Sequence, residues 1–287
     1  MEPMGTSGRP GTAGVGKADR VPVALVTGAG RGIGRGVAGE LASRGWRVFG
    51  GVRRESAEPL PDGVELVHLD VTDPDPTVIP RHLDALVNNA GVDPANVPLE
   101  CTTAAEWRRV LDTNVVGVAE VTRLALPSLR RGTDAVLVNV TSAGLAVPMP
   151  FFGLYRASKA AVSALSESLA TELAPLGIRV VEVMPGPVDT DMLAASGTRP
   201  GDIEADGYGE LAELVAALRP ATDDRAVGVA VAAPAIADSI EEARAAPPGG
   251  VPLRQFCDEV GAEVVGAWQA TPDEEHIAAF RSVFTPR

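Results

Sequence analysis

Lysine is almost missing from this chain. Of its 25 Lys+Arg, only Lys17 and Lys159 are lysines, and only Tyr155 and Tyr208 are tyrosines. Cysteine is as scarce: Cys101 and Cys257 stand far apart with no CxxC spacing, which excludes a disulfide framework and a thiolate metal cluster and suits a reducing, cytoplasmic setting. The three histidines, His68, His82 and His276, have no ligand spacing, so no metal site is expected. Basic runs are absent, and the formal net charge of -13 argues against nucleic acid or an anionic membrane as partner. The longest apolar run, 226 to 237, is too short to span a bilayer and contains Pro234, so it reads as a buried helix. Residues 1 to 20 lack the apolar stretch of a secretory signal and read as a disordered tail. Asn139 opens an Asn-Val-Thr sequon, but inside an apolar segment that reads as a buried strand.

What remains is an ordinary globular composition, 45% hydrophobic and 22% charged, in which strands and helices alternate. Strand patterns fall at 22–28, 46–52, 63–73, 83–91, 134–142 and 178–186, with a further one at the head of 251–287. Helical patterns fall at 34–45, 103–131 (bent near Asn114) and 153–176. Apolar strands with little alternation, each followed by a helix, predict an α/β fold: a doubly wound parallel sheet with helices on both faces. Residues 74–82, with three prolines, leave room for a short helix or none. No internal repeat and no second domain is visible, so 21–287 is expected to be a single domain. Residues 187–222 read as a long polar loop, a candidate lid over the substrate, with weak helical pattern near Gly209–Arg219.

The strand ends carry the chemistry. The turn Thr27-Gly28-Ala29-Gly30-Arg31-Gly32-Ile33-Gly34 joins a strand to a helix, and Gly28, Gly32 and Gly34 would let backbone N–H groups approach a pyrophosphate at the helix N-terminus. The second strand ends in Val52-Arg53-Arg54, with no carboxylate before Glu55. A guanidinium suits a ribose 2′-phosphate where a carboxylate would suit free hydroxyls, so Arg53, with Arg31 on the other side, points to NADP(H). Tyr155 and Lys159 share one helix face at i, i+4. A phenol ordinarily titrates near pH 10. The ammonium beside it is expected to lower that value and to bond ribose hydroxyls, which arginine's planar fork does poorly. Ser142 ends the fifth strand and can orient a carbonyl oxygen; Asn114, a poor helix former, can hold a water at a helix irregularity.

As an ordered set, Thr27-Gly28…Gly32-Ile33-Gly34, Asn88-Asn89-Ala90-Gly91, Ser142, Tyr155-x-x-x-Lys159 and Pro185-Gly186 resemble the short-chain dehydrogenase/reductase family over roughly residues 21 to 190. The resemblance implies a Rossmann-type fold with a seven-stranded parallel sheet. It implies Tyr155 as general acid–base, Lys159 as its partner on the nicotinamide ribose, Ser142 as the carbonyl-orienting hydroxyl and Asn114 in a water-mediated proton relay. It also implies that Ile33, Asp70, Val71, Asn89, Ala90, Gly91, Pro185, Gly186, Val188 and Thr190 bind the cofactor. A homodimer or homotetramer built on the helices at 103–131 and 153–176 is implied as well, and the last third is loosely similar to the hydroxysteroid and retinol branch. The leading expectation is an NADPH-dependent ketoreductase, or alcohol dehydrogenase, acting on a mainly apolar carbonyl or alcohol. Met149, Phe151, Phe152, Met192, Leu193 and Tyr208 are candidate pocket walls. An epimerase, dehydratase or cyclase using the same site, or an NADP(H)-sensing protein without activity, are the alternatives.

Overall fold

The strands of the sheet centre are built almost wholly from Val, Leu and Ala, and both their faces are buried. The computed structural model describes residues 20–54, 58–203, 205–247 and 249–285; the tail expected over the first twenty residues lies outside these except for Arg20. In chain order the elements are β1 (Val23–Thr27), α1 (Gly32–Ser43), β2 (Arg47–Val52), β3 (Val64–His68), β4 (Ala85–Asn88), α2 (Ala104–Leu111), α3 (Gly117–Leu129), β5 (Val136–Val140), α4 (Gly153–Leu173), β6 (Arg179–Val183), β7 (Val188–Asp189), α5 (Asp191–Ala195), α6 (Gly209–Ala217), α7 (Arg219–Asp223), β8 (Val227–Gly228), α8 (Val229–Ala245), β9 (Arg254–Gln255), α9 (Glu259–Ala270) and α10 (Asp273–Phe284).

Seven strands pair in parallel in the order β3-β2-β1-β4-β5-β6-β9, and β7 and β8 form a separate two-stranded ribbon. The sheet has an apolar layer on each side. On one, α1 and α8 lay Val37, Leu41, Ile236 and Ile240 over β1, β4 and β5; on the other, Val121, Ala125, Leu129, Leu169 and Leu173 of α3 and α4 cover Leu25, Leu86 and Leu137. Each fully buried Leu or Ile contributes about 1.5–3 kcal/mol, so these two layers set the sheet's position between its helices. Of residues 226–237, expected as a buried helix, 229–237 open α8, which buries one face and accommodates Pro234 in its interior, while Val227–Gly228 form β8 and Val231 is exposed. Asn139 of the sequon is fully buried in β5, where no glycan could attach.

The outer edge departs from a helix after every strand, and at 74–82 it does so as its prolines predict. No helix lies between β2 and β3 among the described residues, and only a single 3-10 turn, Pro76–Val78, joins β3 to β4. The prolines at 59, 61, 74, 76 and 80 withhold N–H donors and bias their predecessors away from helix. β3 is therefore poorly covered, and Leu66 is 60% exposed. Residues 187–222, expected as a polar loop with weak helical pattern near Gly209–Arg219, fold into three short helices: α6 lies on that pattern, and α5 and α7 depart from the expectation. Among the described residues no helix is long and apolar enough to cross a membrane, and no group of three or more His, Cys, Asp or Glu could hold a metal.

Candidate active site and nucleotide cleft

The strand order reverses at β1, whose neighbours β2 and β4 leave in opposite directions, and a cleft opens at the C-terminal ends of β1 and β4. It encloses about 1610 Å³ and runs from Arg53 and Asp70 past the glycine turn to Tyr155 and Lys159, then under α5, α6 and α7. A typical small-molecule pocket holds roughly 300–1,000 Å³, so this one has room for a dinucleotide and a second molecule.

The glycine turn is shaped by contact with the loop after β4. Gly28 (φ 68°) and Gly32 (φ 54°) take left-handed backbone that other residues resist. Thr27 Oγ1 accepts from the N–H of Asn89 and of Ala90, each at 3.0 Å, and Asn89 Nδ2 donates back to Thr27 O at 3.0 Å. Gly28, Gly30, Gly32 and Ile33 line the cleft, but Gly34 does not. A Cβ at Gly34 would sit 2.3 Å from Asn89 Nδ2 and 2.5 Å from Gly28 O, so this glycine admits a close crossing of the two loops rather than a ligand. The N-cap of α1, Arg31, makes no side-chain capping bond, which leaves the first-turn N–H groups to an anion such as a pyrophosphate.

Of the arginines, Arg53 lines the cleft, is exposed, and lies near Asp70, whose carboxyl accepts from Thr72 N and Oγ1 at 3.0 and 2.8 Å. Arg31 reaches across the cleft mouth to Asp191 at 3.6 Å, with both side chains at least 70% exposed, so the contact is weak and free to open. Asn89, Ala90, Gly91, Pro185, Gly186, Val188 and Thr190 line the cleft as well, and so does Val71, which also packs on Gly117.

Ser142, Tyr155 and Lys159 meet at the inner end. Ser142 follows β5, accepts from Gly144 N at 3.0 Å and lies close enough to Tyr155 to pull its pKa down. Lys159 Nζ donates to Val140 O at 3.0 Å and stands 5.9 Å from the centre of the Tyr155 ring. Phe152 stacks on that ring with 4.8 Å between ring centres. The expected lowering of the Tyr155 pKa is overturned here. Burial pushes the phenol up to about 12, against the pull of Ser142 and helped by the Asp93 charge. Burial also lowers Lys159 to about 8 despite Asp93, so its charge is itself under strain and its Nζ is held on Val140.

Asn114 falls in a π-turn, Asp112–Val116, between α2 and α3, at the bend anticipated from sequence. Its side chain is 2% exposed and does not face open solvent. Oδ1 accepts from Val92 N at 2.8 Å, while Nδ2 donates to Val92 O at 2.9 Å and to Ser158 Oγ at 3.1 Å. Both amide hydrogens are therefore taken by protein, and the residue ties the Gly91–Val92 loop to α4.

Met149, Phe152, Met192 and Leu193 line the cleft beside Tyr155. Tyr208 and Phe151 do not. Phe151, in left-handed backbone at φ 67°, packs edge-on against Tyr208 with 5.8 Å between ring centres, so the two rings face each other outside the cleft lining. Sequence reasoning missed Asp93, Asn96, Arg156, Asp258 and His276. The last three hold the site's loops: Arg156 Nε and Nη2 donate to Leu145 O at 3.0 and 2.8 Å, His276 Nε2 lies 2.7 Å from Ala146 O, and Asp258 Oδ2 accepts from Gly186 N at 2.8 Å.

A family model described as short chain dehydrogenase matches residues 22–200. The chain belongs to the short-chain dehydrogenase family of oxidoreductases. It is 37% identical over 190 residues to a 3-oxoacyl-[acyl-carrier-protein] reductase of Staphylococcus aureus, covering 60% of this chain and 76% of that one. Among solved structures it is similar to a short chain dehydrogenase from Burkholderia cenocepacia in complex with NADP (26% identity, TM-score 0.69, 93% of this chain and 98% of that one). It is also similar to a 3-ketoacyl-(acyl-carrier-protein) reductase from Brucella melitensis complexed with NADH (26% identity, TM-score 0.64, 83% and 98%).

Proposed function

We propose that this protein is an NADP(H)-dependent carbonyl reductase, working in reverse as an alcohol dehydrogenase, with residues 21–287 acting as one unit and 187–222 closing over the substrate. The observation that carries the reading is the meeting of Ser142, Tyr155 and Lys159 at one end of a cleft whose other end is a glycine turn and an uncapped helix N-terminus. That cradle fits a dinucleotide: the glycine turn and α1 would hold the pyrophosphate, Asp70 and Val71 the adenine side, and Arg53 and Arg31 a 2′-phosphate. Lys159 would hold the nicotinamide ribose, and Pro185, Gly186, Val188 and Thr190 the carboxamide. When bound, the nicotinamide supplies or accepts the hydride.

The residues do the rest. Ser142 Oγ hydrogen-bonds the carbonyl oxygen and fixes the face presented. Tyr155, kept protonated by burial, donates its proton to that oxygen as negative charge develops there. The neutral phenol is the form this step needs, and the weak acidity that burial imposes on it must be offset as the proton leaves. Lys159, with two N–H groups beyond the one given to Val140, stabilises the phenolate left behind. Asn114 holds the Val92 loop against α4 and so fixes the distance between the cofactor wall and Tyr155.

The exposed residues Ala160, Ala161, Ala164 and Ser168 of α4 are small enough for close helix packing between copies, which supports a homodimer or homotetramer. Calorimetric titration with NADPH and, separately, NADH tests the cofactor assignment. Tighter binding of NADPH that is lost in Arg53→Ala supports it; tighter binding of NADH overturns it.

A further inference from the structure

The substrate end of the cleft is mostly apolar, yet it carries two hydrogen-bond acceptors without donors. Asp93 stands two residues beyond Gly91, is partly buried and lines the cleft. Three cations face it, Lys159, Arg109 and Arg219; each acts on the carboxylate only through its charge, and Arg109 Nη2 also donates to the Asp93 backbone O at 3.5 Å. All three have partners elsewhere: Lys159 gives one of its three N–H groups to Val140 O, Arg109 bonds both oxygens of Glu106, and Arg219 bonds Leu193 O, Ser196 and Asp223. Three residues on, Asn96 lines the same cleft, and its Oδ1 is buried with no hydrogen-bond partner. A buried carbonyl oxygen left without a donor is a costly arrangement that folded proteins rarely keep without a use.

The segment is held in place rather than loose. Both backbone groups of Val92 are bonded to Asn114, and the buried residues Pro94 and Pro98 restrict the chain on either side of Asn96. The two acceptors are thus presented at set positions beside the reacting groups, since the Asp93 charge is felt by both Tyr155 and Lys159. An anionic substrate group would meet the Asp93 carboxylate and find the arginines already occupied. A hydroxyl or an ammonium would supply what both atoms lack.

We propose that Asp93 and Asn96 form a polar recognition subsite for a hydrogen-bond donor on the substrate, making the preferred substrates carbonyl compounds that bear a hydroxyl or ammonium group a few bonds from the reacting carbon. The inference rests on the reductase reading and narrows it from mainly apolar ketones to donor-bearing ones.

The test uses ketones of one skeleton carrying, at one position, hydroxyl, ammonium, methoxy, hydrogen or carboxylate, assayed by NADPH consumption. The hydroxyl or ammonium ketone is expected to exceed the methoxy and hydrogen analogues in kcat/KM by at least about tenfold, and Asp93→Ala and Asn96→Ala should bring that ratio close to one. The near-isosteric Asp93→Asn separates the two donors: it keeps a preference for hydroxyl and loses one for ammonium. The same ratio is read without turnover from calorimetric affinities of the matched alcohols and amines for the NADP+-loaded protein. If none of the ketones is consumed but the affinity ratio holds, the reductase reading fails and the subsite stands. Equal affinities across the set, preference for the carboxylate, or a ratio that Asp93→Ala and Asn96→Ala leave unchanged, each overturn the subsite.

Discussion

The backbone N–H of Gly186 donates to Oδ2 of Asp258 at 2.8 Å, a bond that spans 72 residues of chain. The other carboxylate oxygen accepts from Gly261 N at 2.7 Å and caps α9. One side chain therefore fixes the loop proposed to lie on the nicotinamide and starts a C-terminal helix. The fit is close: a Cβ on Gly186 would come within 2.3 Å of Asp258 Oδ1.

Replacing Asp258 with Ala removes both bonds. The expected loss is about 1–3 kcal/mol of stability, from a lost cap and an unpaired N–H, together with several-fold weaker NADPH binding. Asp258→Asn, which keeps an acceptor oxygen, should restore part of each. Chemical denaturation and calorimetry on the three proteins measure this. Unchanged cofactor affinity in Asp258→Ala contradicts a role in placing the loop.

The pH dependence follows from Lys159. Burial lowers its pKa from 10.5 to about 8, so the ammonium is present below that value and lost above it. Reduction, which needs Tyr155 protonated and Lys159 charged, should have a kcat/KM that falls as pH rises through about 8. Oxidation of the alcohol, which must unload a proton onto the same groups, should rise over that range. A reduction profile flat from about pH 6 to about pH 10 contradicts the assignment.

Asp93 predicts a stability change with the opposite dependence on its charge. Burial raises its carboxyl from 3.8 to about 6 against the pull of Lys159, Arg109 and Arg219. The folded protein therefore holds this proton more tightly than the unfolded chain, and the cost of the buried charge grows as pH rises from about 4 to about 6. Asp93→Asn should stabilise the protein by about 1–3 kcal/mol at neutral pH, and the gain should vanish below about pH 4. Thermal unfolding at several pH values checks both parts.

Local signals carried much of this structure. Gly28 and Gly32, the Asn88–Gly91 run and the Tyr155–Lys159 spacing each encode a backbone or helix-face geometry within a few residues, and apolar strands with little alternation encode a parallel sheet buried on both faces. Asn114 announced its helix irregularity because Asn is a poor helix former, though not that its amide would be taken by Val92 and Ser158. Long-range partners left no such trace. His276 meets Ala146 across 130 residues, and Asp258 meets Gly186 across 72. The Tyr155 pKa was read with the wrong sign because a neighbouring ammonium is visible in sequence and desolvation is not. Tyr208 and Phe151 were indistinguishable from pocket walls until the left-handed backbone at Phe151 turned the two rings on each other.

The central claim is that the Tyr155 hydroxyl moves the proton in a reduction driven by NADPH. Tyr155→Phe keeps the ring that stacks on Phe152 and removes only that hydroxyl. Turnover with NADPH should fall by at least about 100-fold, the usual worth of a positioned acid–base, while calorimetric affinity for NADPH stays within about twofold and the fold is unchanged. Turnover close to that of the unmodified protein, with NADPH still bound, would contradict the account.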